Sequence, residues 1–337
     1  MKDVALRANV SMKTVSNVVH DRTARVSPAT RDRIRQAIVE LDYRPNLAAR
    51  QLRNSRVGIV ALAIPTLENP YFATIARLIV DAGNRRGRLV LVDHTNGRRE
   101  EELLTLRGLR PDVIDGIVFD PQTLNEDDIQ GMNHHLPVVL IGERLLQAGF
   151  DHVLIDNEEA AFQATTHLLK LGRRRIAAIG VTDASAPPVQ GLRFAGYVKA
   201  LASASVAFDP SLVVSAKSGK FVRQDGADAM NTLIERGSLP DAIFCFNDLM
   251  AIGAMRSALS HGFRIPDDIA FIGIDDIEEG HYSTPSLSTI APQKEVLASL
   301  VIELLIERIE SRRDEEPRLH YVPFDLIARE STSAHRQ

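Results

Sequence analysis

A single cysteine in 337 residues leaves no partner for an internal disulfide, so Cys245 suits a reducing compartment. No apolar run approaches the roughly 18 residues that a membrane-spanning helix needs. The first residues lack the hydrophobic stretch that opens a signal peptide, which argues against a secreted solute-binding protein and for the cytoplasm. Catalytic signatures are missing as well: there is no G-x-S-x-G elbow, no H-E-x-x-H and no G-x-G-x-x-G, and "SGKF" around Lys220 lacks the glycine spacing of a phosphate loop. His134 and His135 are adjacent, so they point to different faces, and no Cys or carboxylate at ligand spacing accompanies them. The expectation is a protein that is not an enzyme and carries no metal or cofactor.

Charge is abundant but divided. Residues 1 to 56 contain 12 Lys or Arg against 5 Asp or Glu, so the overall balance of −4 hides a basic head on an acidic body. A basic head is what phosphate binding needs, and an acidic body limits unspecific sticking to nucleic acid. A solvated basic face is the plainer alternative.

The run "DVALRANVSMKTVSNVVH", from Asp3 to His20, reads as helix, tight turn and helix. Val4, Ala5 and Ala8 repeat at helical spacing, and Val10, Val15, Val18 and Val19 form a second set. Asn9 lies between them, where a left-handed residue is needed, and Ser11 stands where an N-cap hydroxyl meets free amides. That leaves Met12, Lys13, Thr14, Ser16 and Asn17 at the exposed start of the second helix, the part that enters a major groove. Lys can reach guanine O6 and N7, Asn can pair with adenine, and Met can pack on a thymine methyl. The alternative is an ordinary helical hairpin with polar surface residues. A third helix follows, capped by Ser27, with Pro28 in its first turn and an apolar stripe of Ile34, Ala37, Ile38 and Leu41. Arg31, Arg33 and Arg35 lie on its other faces.

With "VSPATRDRIRQAI" and "YRPNLAARQL", this head resembles the LacI/GalR family of bacterial transcription regulators. The likeness continues through "ENPYF", "VLIDNEEAA", "HLLKLGRRRIAAIG", "RFAGYVKAL", "FNDLMAIGAM" and "IPDDIAFIGIDD". Two departures stand in the head. Asn9 replaces the usual Gly, and the few residues that usually precede the first helix are absent, so the natural start is expected upstream of Met1 or the first turn is expected to fray.

In "YRPNLAARQL", Pro45 restricts Arg44 to extended geometry, Asn46 can cap, and "NLAARQL" is a good helix former. So short a helix is marginal in water alone. The resemblance implies that the minor groove and the matching helix of a second subunit hold it, with Asn46, Ala49, Arg50 and Leu52 at the groove and Leu52 as the wedge between central base pairs. The alternative is a plain linker whose Leu52 packs on its own domain.

From Val57 onward, apolar runs ("VGIVALAI", "RLVLVD", "GIVF", "PVVLIG", "HVLID", "RIAAIG", "AIFCF", "IAFIGI") alternate with helical stretches such as Tyr71 to Arg85, Asn157 to Leu171 and Asp248 to Ser260. That alternation predicts an α/β body of parallel sheet with helices on both faces. The resemblance implies a small all-α helix-turn-helix head (1–45), a hinge helix and linker (46–56) and a two-lobed, periplasmic-binding-protein-like (type I) effector and dimerisation domain (57–332). The lobes would comprise about 57–156 with 289–317, and 157–288 with 318–332, crossing near Asp156, Ser288 and Pro317.

In open α/β sheets ligands are held by loops just beyond the strands. Tyr71 and Phe72 follow the first strand, Asn247 and Asp248 end "AIFCF", Asp275 ends "IAFIGI", Arg193 opens "RFAGYVKAL", and Phe221 precedes a further helix. Carboxylates, an amide and a guanidinium can pair with hydroxyls while aromatic faces pack on a sugar ring. The resemblance carries effector roles onto Arg193, Asn247 and Asp275, and more weakly onto Tyr71, Phe72, Phe221 and Asp248. Against this, Asn247 and Asp248 could merely cap their helix and Phe221 could be core. Where many members have Asp then Arg after the fourth strand, this chain has Glu143 and Arg144, so the usual acidic contact is missing or replaced.

The expected function is a sequence-specific repressor, a cytoplasmic, nucleoid-associated homodimer with no membrane partner. It would bind roughly palindromic double-stranded operator DNA and answer to a small-molecule effector, a sugar or sugar derivative, acting as inducer rather than corepressor. The alternative is a solute-binding protein without a regulatory role.

Overall fold

Near-continuous apolar runs such as "IVALAI" at Ile59–Ile64 and "AIFC" at Ala242–Cys245 cannot show one face to water, so they become strands covered on both sides. The computed structural model describes residues 1–19, 26–43, 57–107, 113–129, 136–181, 188–310 and 316–333. It divides into two compact units, Met1–Val57 and Gly58–Gln337.

In the first unit, α1 (Lys2–Arg7), α2 (Met12–Val19) and α3 (Pro28–Glu40) close on a small core of Val4, Ala5, Ala8, Val15, Val18, Ile34 and Ala37. Asn9 has φ +50°, so the turn between α1 and α2 does use the left-handed region. Ser11 Oγ accepts from Thr14 N at 3.1 Å, and Ser27 Oγ accepts from Thr30 N at 3.3 Å, so both hydroxyls cap as expected. The apolar stripe of α3 is shorter than expected. Leu41 sits at the C-cap and is 43 % exposed, because the helix ends at Glu40 before the stripe can return to the core.

The second unit contains β1 (Ile59–Ile64), β2 (Leu89–His94), β3 (Ile117–Phe119), β4 (Val138–Ile141), β5 (Asp151–Leu154) and β6 (Ile176–Val181). They are followed by β7 (Val213–Ser215), β8 (Ala242–Cys245), β9 (Ala270–Ile274), β10 (Ser288–Pro292), β11 (Leu319–Tyr321) and β12 (Phe324–Ile327). Among the described residues these form two six-stranded sheets, ordered β11-β5-β4-β3-β1-β2 and β12-β10-β9-β8-β6-β7. Every pairing is parallel except that of β12 with β10. The chain crosses from the first sheet to the second after β5, returns after β10, and leaves again between β11 and β12. The last two crossings fall about five residues beyond Ser288 and Pro317. The strand "STIAP" completes its pairing with β9 and β12 before the chain turns away, and "LHY" pairs with β5 before it does.

Each sheet reverses its strand order beside its first strand: β2 and β3 flank β1, and β7 and β8 flank β6. Such reversals open a crevice at the carboxyl ends of the strands, which fixes where loops can converge on a ligand. One helix contact sets the second crevice. Gly196, in the helix Pro188–Ser203, lies where an added Cβ would stand 2.1 Å from the carbonyl of Glu158. Only glycine allows this helix to lie so close to Asn157–Lys170, and that approach brings Arg193 within reach of Asn157.

Candidate functional site

The head presents a polar face on α2 opposite its buried Val15 and Val18. Met12 is 56 % exposed, Lys13 is exposed, and Thr14, Ser16 and Asn17 are half-buried. Thr14 is partly committed, since its hydroxyl lies 2.9 Å from Ser11 Oγ in the cap. An ion pair between Arg7 and Glu40 at 2.7 Å ties α1 to α3, and Arg33 and Arg35 are exposed on α3 while Arg31 is half-buried. The hinge residues Asn46, Ala49, Arg50 and Leu52 lie outside the described residues.

In the second unit, loops from both sheets converge. Asn69 caps the helix Pro70–Arg85 through its side chain, which sets Tyr71 and Phe72 in the first turn, their rings edge-on at 5.4 Å. Asp120 follows β3 and Glu143 follows β4; each is 8 % exposed. From the second sheet come Arg193, Asn247 after β8 and Asp275 after β9. A hydrogen-bonded chain joins the two sides: Asn157 Nδ2 donates to Glu143 Oε1, Arg193 Nε donates to Asn157 Oδ1 at 2.7 Å, and Arg193 Nη1 donates to the carbonyl of Phe246.

The electrostatics follow from burial. Asp120 is pushed well above the usual carboxylate range by burial and by the neighbouring Glu143, against a hydrogen bond from Gln122 at 2.6 Å. Burial also raises Glu143, moderated by Asn157 and Arg193. Asp275 is pushed up to about 6 by burial, moderated by Arg193 and Lys294. The Tyr71 hydroxyl is raised by burial and by the charges of Asp275 and Asp120. Asp275 and Asp276 have φ of +122° and +51°, an unfavourable backbone for side chains that Lys294 Nζ holds by donating to both their carbonyls.

The structure thus brings Tyr71, Arg193 and Asp275 together with Glu143, which stands where the usual acidic contact was expected missing or replaced, and adds Asp120, Gln122 and Asn157, which the sequence reading did not place there. Asp120 directly follows a three-residue strand at the same switch point as Tyr71, and that rule could have found it. Phe72 packs against Tyr71. Asn247 does cap its helix, accepting from Met250 N at 2.9 Å, and its Nδ2 donates to the carbonyl of Phe221 at 2.9 Å. Phe221 is half-buried against the core at φ +54°. Asp248 corrects the expectation of an effector contact. It is fully buried, one carboxylate oxygen accepts from Thr289 Oγ1 at 2.7 Å and the other from Ile277 N at 3.1 Å, so it braces β9 and β10. Among the described residues no group of His, Cys, Asp and Glu could hold a metal ion, and no helix is long and apolar enough to cross a membrane.

A family profile for bacterial regulatory proteins of the lacI family matches residues 1–46, and one for a periplasmic-binding-protein-like domain matches residues 165–332. The HTH-type transcriptional repressor PurR of Aliivibrio fischeri (strain MJ11) is 31 % identical over 98 % of this chain and 97 % of its own. Among solved structures, the transcriptional regulator CelR in complex with cellobiose is 30 % identical, with a TM-score of 0.72, over 98 % of both chains. The Lac repressor dimer bound to operator and the anti-inducer ONPF is 25 % identical, with a TM-score of 0.83, also over 98 % of both.

Proposed function

This chain belongs to the LacI family of bacterial transcriptional repressors, and from that premise we propose that a sugar, bound where the two sheets meet, releases it from its operator. The observation that carries the sugar reading is Asp275. Its carboxylate is 7 % exposed, accepts no hydrogen bond from any described residue, and faces Arg193 and Tyr71. An acceptor that the protein leaves open can take a ligand hydroxyl, and a hydrogen bond to a charged group contributes about 1.5 to 3 kcal/mol. Asp120 and Glu143 offer further acceptors, and the rings of Tyr71 and Phe72 offer apolar surface.

Two subunits place α2 of each head in successive major grooves, with Lys13 and Asn17 on base edges and Met12 on a thymine methyl. The segments around Leu52 pair in the minor groove between them. Effector binding draws the ends of β1, β3 and β4 towards those of β8 and β9, shifts the first-sheet lobes of the dimer against each other and separates the paired segments, which melt when alone. By linkage, operator must weaken sugar binding by the factor with which sugar weakens operator binding.

The test is operator affinity by fluorescence anisotropy, with and without sugars that raise the melting temperature of the full chain. Asp275→Asn is expected to keep operator binding and lose the response to sugar. Retention of the full response in that variant, or stabilisation by nucleobases rather than sugars, would sink the reading.

A further inference from the structure

Among the described cations at the strand ends, three are engaged by the protein. Arg144, next to Glu143, donates through Nη1 to the carbonyl of Leu124 at 3.0 Å. Lys294 holds the backbone carbonyls of Asp275 and Asp276, and Arg329 pairs with Asp276 at 2.6 Å. Arg193 remains, with Nε and Nη1 already given to Asn157 and the Phe246 carbonyl. Facing it are three carboxylates, each more than nine-tenths buried: Asp120, Glu143 and Asp275.

The acidic side of the cleft is also built rather than incidental. Glu102, fully buried, accepts from the backbone amides of Gln122 at 2.7 Å, Thr123 at 3.0 Å and Leu124 at 3.1 Å, and from Thr123 Oγ1 at 2.7 Å. These four bonds fix the loop after β3, and that loop holds Gln122 against Asp120 and keeps both in place beside Glu143.

We propose that this cleft selects its effector by charge, taking a polyhydroxylated ligand that bears no anionic group, with hydroxyls donated to Asp120, Glu143 and Asp275, and rejecting phosphorylated and carboxylated counterparts. The inference rests on the reading of the cleft as a sugar site. An anionic group beside Glu143 and Asp275 either meets their charge at short range in a low-dielectric setting or forces them to take up protons, enough to weaken binding by more than about tenfold relative to the neutral parent.

The test uses the full chain and matched probes: glucose, glucose 6-phosphate and glucuronate; ribose and ribose 5-phosphate; cellobiose and cellobionate. The protein is incubated with the equimolar mixture, separated by gel filtration, and the retained compound is released and identified by mass spectrometry, with affinities then measured by calorimetry. The expected result is retention of a neutral member, and a gain in affinity for its anionic counterpart in the Asp120→Asn/Glu143→Gln variant. Retention of a phosphorylated or carboxylated member that Arg193→Ala abolishes overturns the charge selection while keeping the cleft as a sugar site. Retention of none of the probes, or of a probe whose affinity Asp275→Asn and Arg193→Ala leave unchanged, overturns the sugar-site reading itself.

Discussion

The head and the cleft use polar side chains in opposite ways. On α2, the residues that would read DNA are exposed or half-exposed, and most are uncommitted, so their chemistry is available as it stands. In the cleft most polar side chains are buried and several are engaged by one another, as in the chain Glu143–Asn157–Arg193–Phe246. A surface reader is therefore defined by its side chains, whereas a buried site is defined by what its internal network leaves over. Asp275, with the Asp120 oxygen that Gln122 does not reach, is what this one leaves over.

The largest way to separate the two regions is to remove the core of one. Ile34 is fully buried at the centre of the head, and Ile34→Ala removes packing worth about 2 to 5 kcal/mol from a core that has few other members. Differential scanning calorimetry is expected to show the head unfolded at 37 °C and the melting of the larger unit unchanged, with operator binding lost and sugar binding kept. A shift of both transitions together would mean that the two regions are not separate in stability.

Asn157→Ala cuts the chain across the cleft. It leaves the Glu143 carboxylate and the Arg193 Nε without their shared partner, a loss of about 1 to 3 kcal/mol, because the residue is 4 % exposed. The larger unit is expected to melt lower and sugar affinity to fall, while the unliganded affinity for operator stays. Equal losses at both sites would show that the chain also supports the DNA-bound state.

These regions were unequally legible in the sequence. Asn9, Ser11 and Ser27 act on backbone within four residues of themselves, so the turn and the caps of the head could be read directly. Eight apolar strands could be read as well, but β7 "VVS", β10 "STIAP", β11 "LHY" and β12 "FDLI" were not, because none of them is a continuous apolar run and β11 and β12 are exposed or half-exposed sheet edges. The last two crossings lie a few residues beyond the expected positions for the same reason. Asp248 misled because a carboxylate after a strand looks the same whether it faces a ligand or the core. What decides is Gly273, whose missing Cβ would stand 2.1 Å from the Asp248 carboxylate. Glu143 and Asn157 are 14 residues apart in sequence, and nothing local shows that they meet.

Acid should move the two functions of the cleft in opposite directions. Asp275, at about 6 when folded and unliganded, faces Tyr71, Arg193, Lys294 and Asp248. A carboxyl raised on folding binds its proton more tightly in the native state, so the unliganded protein gains stability from this group as the pH falls from about 6 towards 4. The ionised form is the stronger acceptor for hydroxyl donors, so sugar affinity is expected to fall over the same range, by at most about tenfold between pH 7.5 and 5. Calorimetry across that range checks both signs, and Asp275→Asn should flatten the affinity profile. A flat profile in the unaltered chain would remove Asp275 from ligand binding.

The smallest effect belongs to the head, and its sign follows from two opposing terms. At φ +50° the Asn9 backbone is one that L-residues adopt at a cost, although Asn bears it better than others do. Asn9→Gly removes that strain but adds freedom to the unfolded chain, which opposes the gain. The net is expected to be stabilising by at most about 1 kcal/mol, because Asn9 is exposed and its side chain makes no bond that glycine would lose. A rise of a few degrees in the head's transition, with the larger unit and sugar affinity untouched, is the expected reading. A fall would mean that unfolded-state entropy outweighs strain in this turn, and that Asn, rather than Gly, is the better residue for so small a core.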